Sequence, residues 1–286
     1  MKRKSWKKPA AILLTMAAVG SLFGGCGSKE TSEKKETVEK KQTEIVVFAA
    51  ASMTETLTTL GEAYTEEHPE IKVIFTFDSS GTLKTQIEEG ASCDLFISAG
   101  QKQMDQLDAE ASPEVNTDGL DFVMQDTRID LLENKVALVV AEEKESEITS
   151  YKDWKKQLEA HTITMAMGNS DVPVGQYTQK ILAYYGLSEE ELAKAGCITY
   201  GTNVKEVTTQ VAEGSVDCGI IYATDAYSAN LTVTDVADAQ MCGQVIYPAA
   251  VMKDTEQEKE AKAFLAYLQE AAASEVFETV GFTPLA

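Results

Sequence analysis

Histidine is nearly missing from this chain: His68 and His161 are the only two in 286 residues. The five cysteines include no C-x-x-C pair, and with so little histidine that argues against a zinc site. Basic charge is scarce, with 25 Lys and Arg against 46 Asp and Glu and a formal net charge of −21. Five of the basic residues (Lys2, Arg3, Lys4, Lys7 and Lys8) precede residue 26, so the rest of the chain carries 20 − 46 = −26. With no basic patch to neutralise phosphates, nucleic acid is excluded as a partner. There is no G-x-x-x-x-G-K-[ST] loop to hold a nucleotide and no G-x-S-x-G elbow to expose a nucleophilic serine. The apolar run Ala10 to Phe23 is too short, and ends in too much glycine, to span a membrane comfortably. The acidic balance does not exclude an anionic ligand. Charges beyond a Debye length are screened, while a dry pocket responds to its own donors.

What is present begins with an export signal. A basic start, an apolar stretch and Phe23-Gly24-Gly25-Cys26 make residues 1–25 a signal peptide. The small residues before Cys26 resemble the lipobox of bacterial lipoproteins. That implies cleavage at Cys26, lipid on its sulfur, and an extracytoplasmic protein anchored to the cell membrane. Residues 26–43 carry almost no apolar side chain and cannot offset their ordering entropy by burial, so they read as a disordered tether. Four further cysteines, Cys93, Cys197, Cys218 and Cys242, could pair in an exported protein or stay free in an anaerobic one.

From Glu44 onward, short apolar runs alternate with helical patterns. Strands are expected at Glu44–Ala50, Ile71–Phe77, Asp94–Ser98, Lys135–Ala141, Thr162–Met167, Cys197–Tyr200, Cys218–Tyr222 and Tyr247–Met252. Helices are expected from Ser52 or Thr54 to His68, over Thr82–Glu89, Gly175–Tyr185 and Val204–Glu213, and within Glu256–Gly281. This order predicts α/β architecture with mostly parallel sheets. Ligands of such sheets sit beyond the carboxyl ends of the strands. Five segments at those ends are rich in Ser, Thr, Gly or Tyr: Ala49–Thr54, Phe77–Leu83, Asp171–Gly175, Thr202–Lys205 and Ile220–Asp225. A helix N-terminus leaves amides unpaired and carries partial positive charge, so several converging ends would hold an anion with neutral donors. No Arg lies in these segments, and their one Lys, Lys205, points into a helix.

The motifs F-A-A-A-S-M-T, F-D-S-S-G-T-L, C-D-L-F-I-S-A, D-V-P-V-G, G-I-I-Y-A-T-D-A and Y-P-A-A-V, with V-G-F-T-P near the end, resemble one family in order and spacing. It is the substrate-binding protein of molybdate ABC transporters, which has the type II periplasmic-binding-protein fold. The resemblance covers residues 44–286. It implies two α/β lobes with the ligand cleft between them, lobe I being 44–132 plus 243–286 and lobe II 133–242. It implies high-affinity binding of molybdate, and of tungstate, for delivery to a permease by a monomer without cofactor or catalysis. Ser52 and Ser80 would bind through hydroxyl and amide, Val174 and Val204 through the amide alone, and Tyr222 through its phenol. A dianion that is unprotonated near neutral pH needs donors only, and all of these supply them.

Three residues depart from the pattern or complicate it. Asp78 sits where the family often has a small neutral residue, and a carboxylate there would accept the proton of an anion such as hydrogen phosphate. Asp171 raises the same question from lobe II. Gly81 replaces a serine seen in some members, at the expected loss of one donor or in favour of a looser turn. Sulfate or phosphate is therefore the alternative ligand class. The remote alternative is an exported serine hydrolase using Ser52 or Ser80, which would need His68 or His161 beside it.

Overall fold

The computed structural model describes residues 42–286; the expectations for residues 1–25, the tether up to residue 41 and the lipidation of Cys26 lie outside them. The chain opens with β1 (Thr43–Ala50), α1 (Thr54–Glu67), β2 (Ile71–Asp78), α2 (Ser80–Glu88), β3 (Leu95–Ile97), α3 (Gln101–Asp105) and β4 (Ile129–Asn134). It then builds β5 (Val136–Val140), α4 (Tyr151–Glu159), β6 (Met165–Gly168), α5 (Pro173–Tyr184), α6 (Glu189–Lys194) and β7 (Ile198–Gly201). Next come α7 (Val204–Ala212), β8 (Cys218–Tyr222), α8 (Ala223–Ser228), β9 (Val233–Val236) and α9 (Ala239–Cys242). The chain closes with β10 (Val245–Val251), α10 (Glu258–Tyr267), α11 (Ala271–Val280) and β11 (Thr283–Pro284). Strand β1 starts at Thr43, one residue inside the span assigned to the tether, because Thr43 pairs with Ile71.

Two sheets organise these strands. The first has the order β11-β4-β10-β3-β1-β2 and the second β7-β6-β8-β5-β9. The chain crosses from the first sheet to the second between Asn134 and Val136, and returns between Cys242 and Val245. The expectation of mostly parallel sheets is corrected. Parallel pairing joins β1 to β2 and β3, and β6 to β7 and β8, whereas β10 with β3 and β4, β4 with β11, and β5 with β8 and β9 run antiparallel. The reason is the double crossing: the chain leaves the first sheet along β4 and re-enters it along β10, so these neighbours run in opposite directions.

Burial on both faces explains the unbroken apolar runs. In β1, Ile45, Val47 and Ala49 join Leu57, Leu60 and Tyr64 of α1 in one cluster. Phe48 points the other way, to Leu83 and Ile87 of α2 and Phe96 of β3. Side chains alternate between faces, and both faces are covered, so polar alternation disappears. All four described cysteines are buried free thiols. No described helix is long and apolar enough to cross a membrane.

Candidate functional site

The five expected residues come together. Ser52, Ser80, Val174, Val204 and Tyr222 line one cavity, along with Ala50, Ala51, Asp78, Ser79, Ala99, Val172 and Pro173. Each sits just past the carboxyl end of a strand: β1, β2, β6 and β7 lead into Ser52, Ser80, Val174 and Val204, and Tyr222 ends β8. Loops and helix starts from both halves therefore meet over one point.

Local sequence dictates how the donors are presented. Ser79, not Ser80, caps α2, its Oγ accepting the Thr82 N–H at 3.1 Å. That leaves Ser80 as the first helical residue, whose amide has no intrahelical acceptor. Asn203 caps α7 by accepting from Glu206 N, which puts Val204 in the same situation. In α5 the first residue is Pro173, which lacks an N–H, so the first amide on offer is that of Val174. The expected capping of α1 by Ser52 or Thr54 is corrected. A short 3-10 turn, Ala51–Met53, precedes α1, Met53 takes the cap position without a side-chain bond, and Thr54 Oγ1 donates back to Ala51 O at 2.7 Å. Ser52 is thereby released from capping, and its Oγ lies 2.9 Å from Tyr247 Oη.

Behind the cavity wall runs a buried polar chain. Tyr247 Oη also accepts from Asn134 Nδ2 at 3.1 Å, and the same amide donates to Thr224 Oγ1 at 2.9 Å. Ser80 Oγ accepts the Ala99 N–H at 2.9 Å, which leaves its own proton free to donate. Tyr222 Oη stands 3.5 Å from Ala99 O, at the outer limit of a hydrogen bond, so its proton is only weakly engaged. Burial pushes the Tyr222 and Tyr247 phenols well above their ordinary range, so both stay protonated donors. Sequence reasoning missed Tyr247, Asn134, Thr224 and Ala99 as parts of the site. Tyr247, Ala99 and Thr224 were marked only by their places in the Y-P-A-A-V, C-D-L-F-I-S-A and G-I-I-Y-A-T-D-A motifs, and nothing marked Asn134.

The cavity is small, ≈ 10 Å³. A drug-sized organic ligand needs about 300–1,000 Å³. Space of this size, about that of one water, excludes an organic ligand. Larger depressions of ≈ 480 and ≈ 540 Å³ lie elsewhere on the surface, without such a convergence of strand and helix ends. Volume does not locate the site; converging donors do.

The acidic neighbours separate. Asp78 lines the cavity half-buried, with Oδ1 accepting from Ser79 N at 2.7 Å and from Asn203 Nδ2 at 3.4 Å. Asp171 is exposed and outside the cavity, lining the neighbouring depression with Lys84 and Lys102. The reading of Gly81 as a lost donor is corrected as well. A Cβ there would stand 2.9 Å from the Asp171 carbonyl carbon and nearer still to its oxygen, so Gly81 permits a close backbone approach between the halves.

The hydrolase alternative fails on geometry. His68 ends α1, with Nδ1 3.8 Å from Glu70 Oε1, and His161 lies in an exposed turn at φ 53°. Neither bonds a cavity serine, and the serine hydroxyls are engaged by Tyr247 and the Ala99 amide.

Two α/β halves whose neutral donors converge on one small cavity, beside the Asp78 carboxylate, have the build of a solute-binding protein. The chain belongs to the family of bacterial extracellular solute-binding proteins, whose sequence profile matches residues 45–283. It is 32% identical over 278 residues to the putative ABC transporter substrate-binding lipoprotein YvgL of Bacillus subtilis, covering 96% of this chain and 98% of that one. It is 29% identical over 273 residues to the molybdate-binding protein ModA of Haemophilus influenzae, covering 94% and 98%. Its fold is similar to that of the Azotobacter vinelandii periplasmic molybdate-binding protein, with a TM-score of 0.71 at 21% identity over 85% of this chain and 100% of that one.

Proposed function

We propose that this chain captures molybdate outside the cytoplasm and delivers it to the permease of an ABC transporter. The observation that carries the reading is the small cavity in which first-turn amides and buried hydroxyls meet without a cationic side chain. Ser52 and Ser80 donate through hydroxyl and amide, Val174 and Val204 through the amide, and Tyr222 through its phenol. Each charge-assisted bond contributes about 1.5–3 kcal/mol in a site that excludes water. The likeness to proteins named for molybdate supports the choice of anion. Tungstate, of nearly the same size and charge, binds in the same way.

The two sheets and their helices form the moving parts: lobe I, expected at 44–132 and 243–286, takes in Thr43 and runs on to Asn134 with β4, and lobe II follows to residue 242. Cleavage after residue 25 leaves lipid on Cys26, and residues up to 42 tether a monomer to the membrane. Likeness to a protein named as a lipoprotein supports that anchoring.

Calorimetric titration of the full chain with molybdate, tungstate, sulfate and phosphate tests the reading. One-to-one heat with the first two and none with the others is the expected result. Heat from phosphate instead would favour a second reading, for which the carboxylate of Asp78 on the cavity wall is the specific observation. Silence from all four anions would refute the anion site.

A further inference from the structure

Lys205 follows the cavity residue Val204 and is not explained by the site as described. Its Nζ lies 2.9 and 2.8 Å from the two carboxylate oxygens of Glu55, which belongs to α1 in the other half. The same ammonium is 3.5 Å from Oδ1 of Asp225, on α8 in its own half. The Asp225 side chain is 0% exposed, and neither of its oxygens accepts a hydrogen bond. Buried carboxylates are ordinarily satisfied by several donors, so one cation shared between two acids of opposite halves is an unusual arrangement.

Beyond Lys205, the one other group that favours the ionised carboxylate is the backbone amide of Asp225 itself. From α7 comes Lys205, while Glu206 on that helix is turned to the Thr202 N–H. The phenols of Tyr222 on β8 and Tyr247 on β10 are near enough to be influenced by its charge. Strand β5 is Val-Ala-Leu-Val-Val and has no ionisable group. Asp235 of β9 is committed to the amides of Tyr151 and Val236, and Glu275 and Glu278 of α11 are exposed.

We propose that Lys205 is a positioning residue for anion capture, an ammonium that ties the two halves together by sharing itself between Asp225 and Glu55. Resting on the molybdate reading, the clamp works as follows. With the cleft open, Glu55 is out of reach and Lys205 settles on Asp225, keeping that carboxylate ionised. Closure draws the ammonium onto both oxygens of Glu55 and leaves Asp225 buried with a single weak contact. A dianion arriving beside Tyr222, three residues before Asp225, adds repulsion of the same sign. Asp225 therefore takes up a proton as the cleft closes. Burial pushes its carboxyl up to about 7 in the closed form even with Lys205 nearby, and Glu55 adds to the rise.

The sign follows from linkage. A group whose closed-state pKa exceeds its open-state value stabilises the closed form at low pH, and that contribution disappears as pH rises to the closed-state value. Affinity for the anion thus falls as pH rises toward about 7, by at most ten-fold per pH unit for one proton, and levels off above it.

Calorimetry with molybdate between pH 6 and 8.5, in buffers of different ionisation enthalpy, measures both affinity and proton uptake. The expected result is an affinity at least about three-fold higher at pH 6 than at pH 8, with fractional proton uptake near pH 6.5. Asp225→Asn abolishes the slope and the uptake and keeps tight binding at pH 8, a signature that a merely structural aspartate would not produce. Glu55→Gln, at an exposed position, weakens binding about five-fold or more with an unchanged melting temperature, and Lys205→Met does so more strongly. Binding that is flat with pH and releases or takes up no proton would overturn the clamp while leaving the molybdate reading intact. So would an Asp225→Asn protein with the wild-type slope, or, if that variant fails to fold, a Glu55→Gln protein with wild-type affinity. Silence with every anion even at pH 6 would overturn both.

Discussion

Replacing Gly81 with alanine isolates the closing of the cleft from the chemistry of the anion. Gly81 lies in the first turn of α2, and its backbone faces the carbonyl of Asp171 from the other half. An added Cβ would sit 2.9 Å from the Asp171 carbonyl carbon and 3.1 Å from its Cβ. Carbon atoms settle at about 3.5–4.0 Å, and the oxygen is nearer still, so the halves must part by about 1 Å or the 169–172 loop must give way. A hydrogen bond of ordinary length stretched by about 1 Å is no longer one. Losing two charge-assisted bonds to the anion costs about 3–6 kcal/mol, which corresponds to about 10²–10⁴ in Kd. With the cleft open the methyl meets nothing across it, and alanine is the better helix former by up to about 1 kcal/mol. Calorimetric titration and thermal unfolding of the same sample should therefore diverge: molybdate affinity at least about 100-fold weaker, with an unliganded melting temperature equal or higher. Gly90→Ala is the control. Gly90 has φ 88° and nothing within 4 Å, so its substitution lowers the melting temperature through backbone strain and leaves affinity alone. A Gly81→Ala protein that binds molybdate within about three-fold of wild type would refute the reasoning, because 1.4 kcal/mol is already ten-fold.

Further outcomes follow from the same geometry. Ser80→Ala removes a hydroxyl donor and strands the buried Ala99 N–H, so calorimetry should show binding weaker by about 1–3 kcal/mol, which is about five- to 150-fold. Tyr222→Phe should weaken molybdate binding directly. Tyr247→Phe should do so less, through the lost partner of Ser52. Because burial raises both phenols well above their ordinary range, wild-type affinity should stay level between about pH 8 and 9.5. A drop in that interval would mean that one of them ionises. Remote from the cleft, Arg128 pairs with Asp105 and with the nearly buried Asp108. Burial would raise the Asp108 carboxyl, but Gln125, the Glu110 amide and Arg128 outweigh it and hold it below its ordinary value. Its contribution is complete above about pH 4 and is lost as pH falls below that, so denaturant unfolding should weaken in this range, and Arg128→Met should flatten the dependence.

How much of this could be read in advance depends on how local the cause was. The run Glu44–Ala50 announces a strand covered on both faces, and Gly175 to Tyr185 a helix, because burial and capping act within a few residues. Helices α2 and α5 start two residues earlier than expected, since Ser79 supplies the cap and Pro173 starts its helix without a side-chain cap. Strands β4 and β9 were not anticipated. Ile-Asp-Leu-Leu-Glu-Asn and Val-Thr-Asp-Val carry acids that pattern reading assigns to loops, and they become strands because β10 and β5 offer them edges to pair with. The site divides the same way. Ser52, Ser80, Val174, Val204 and Tyr222 were legible because each closes a strand or opens a helix. Asn134, Thr224 and Tyr247 were not, because hydrogen bonds spanning 90 to 195 residues leave no trace in local composition.

The sequence by itself determined most of the elements, the acidic and histidine-poor character, and the donor-rich turns at strand ends, since all of these arise from neighbours in the chain, whereas β4 and β9 needed their partner strands. Only the tertiary structure decided that strands from distant segments run antiparallel where the chain crosses twice between the sheets. It decided too that Gly81 meets Asp171 instead of missing a hydroxyl, and that Asp78 turns to Ser79 and Asn203 while Asp171 faces solvent. The size of the cavity belongs to the same category. A few tenths of an ångström between two halves set which ion fits, and that distance is the sum of packing across the whole molecule.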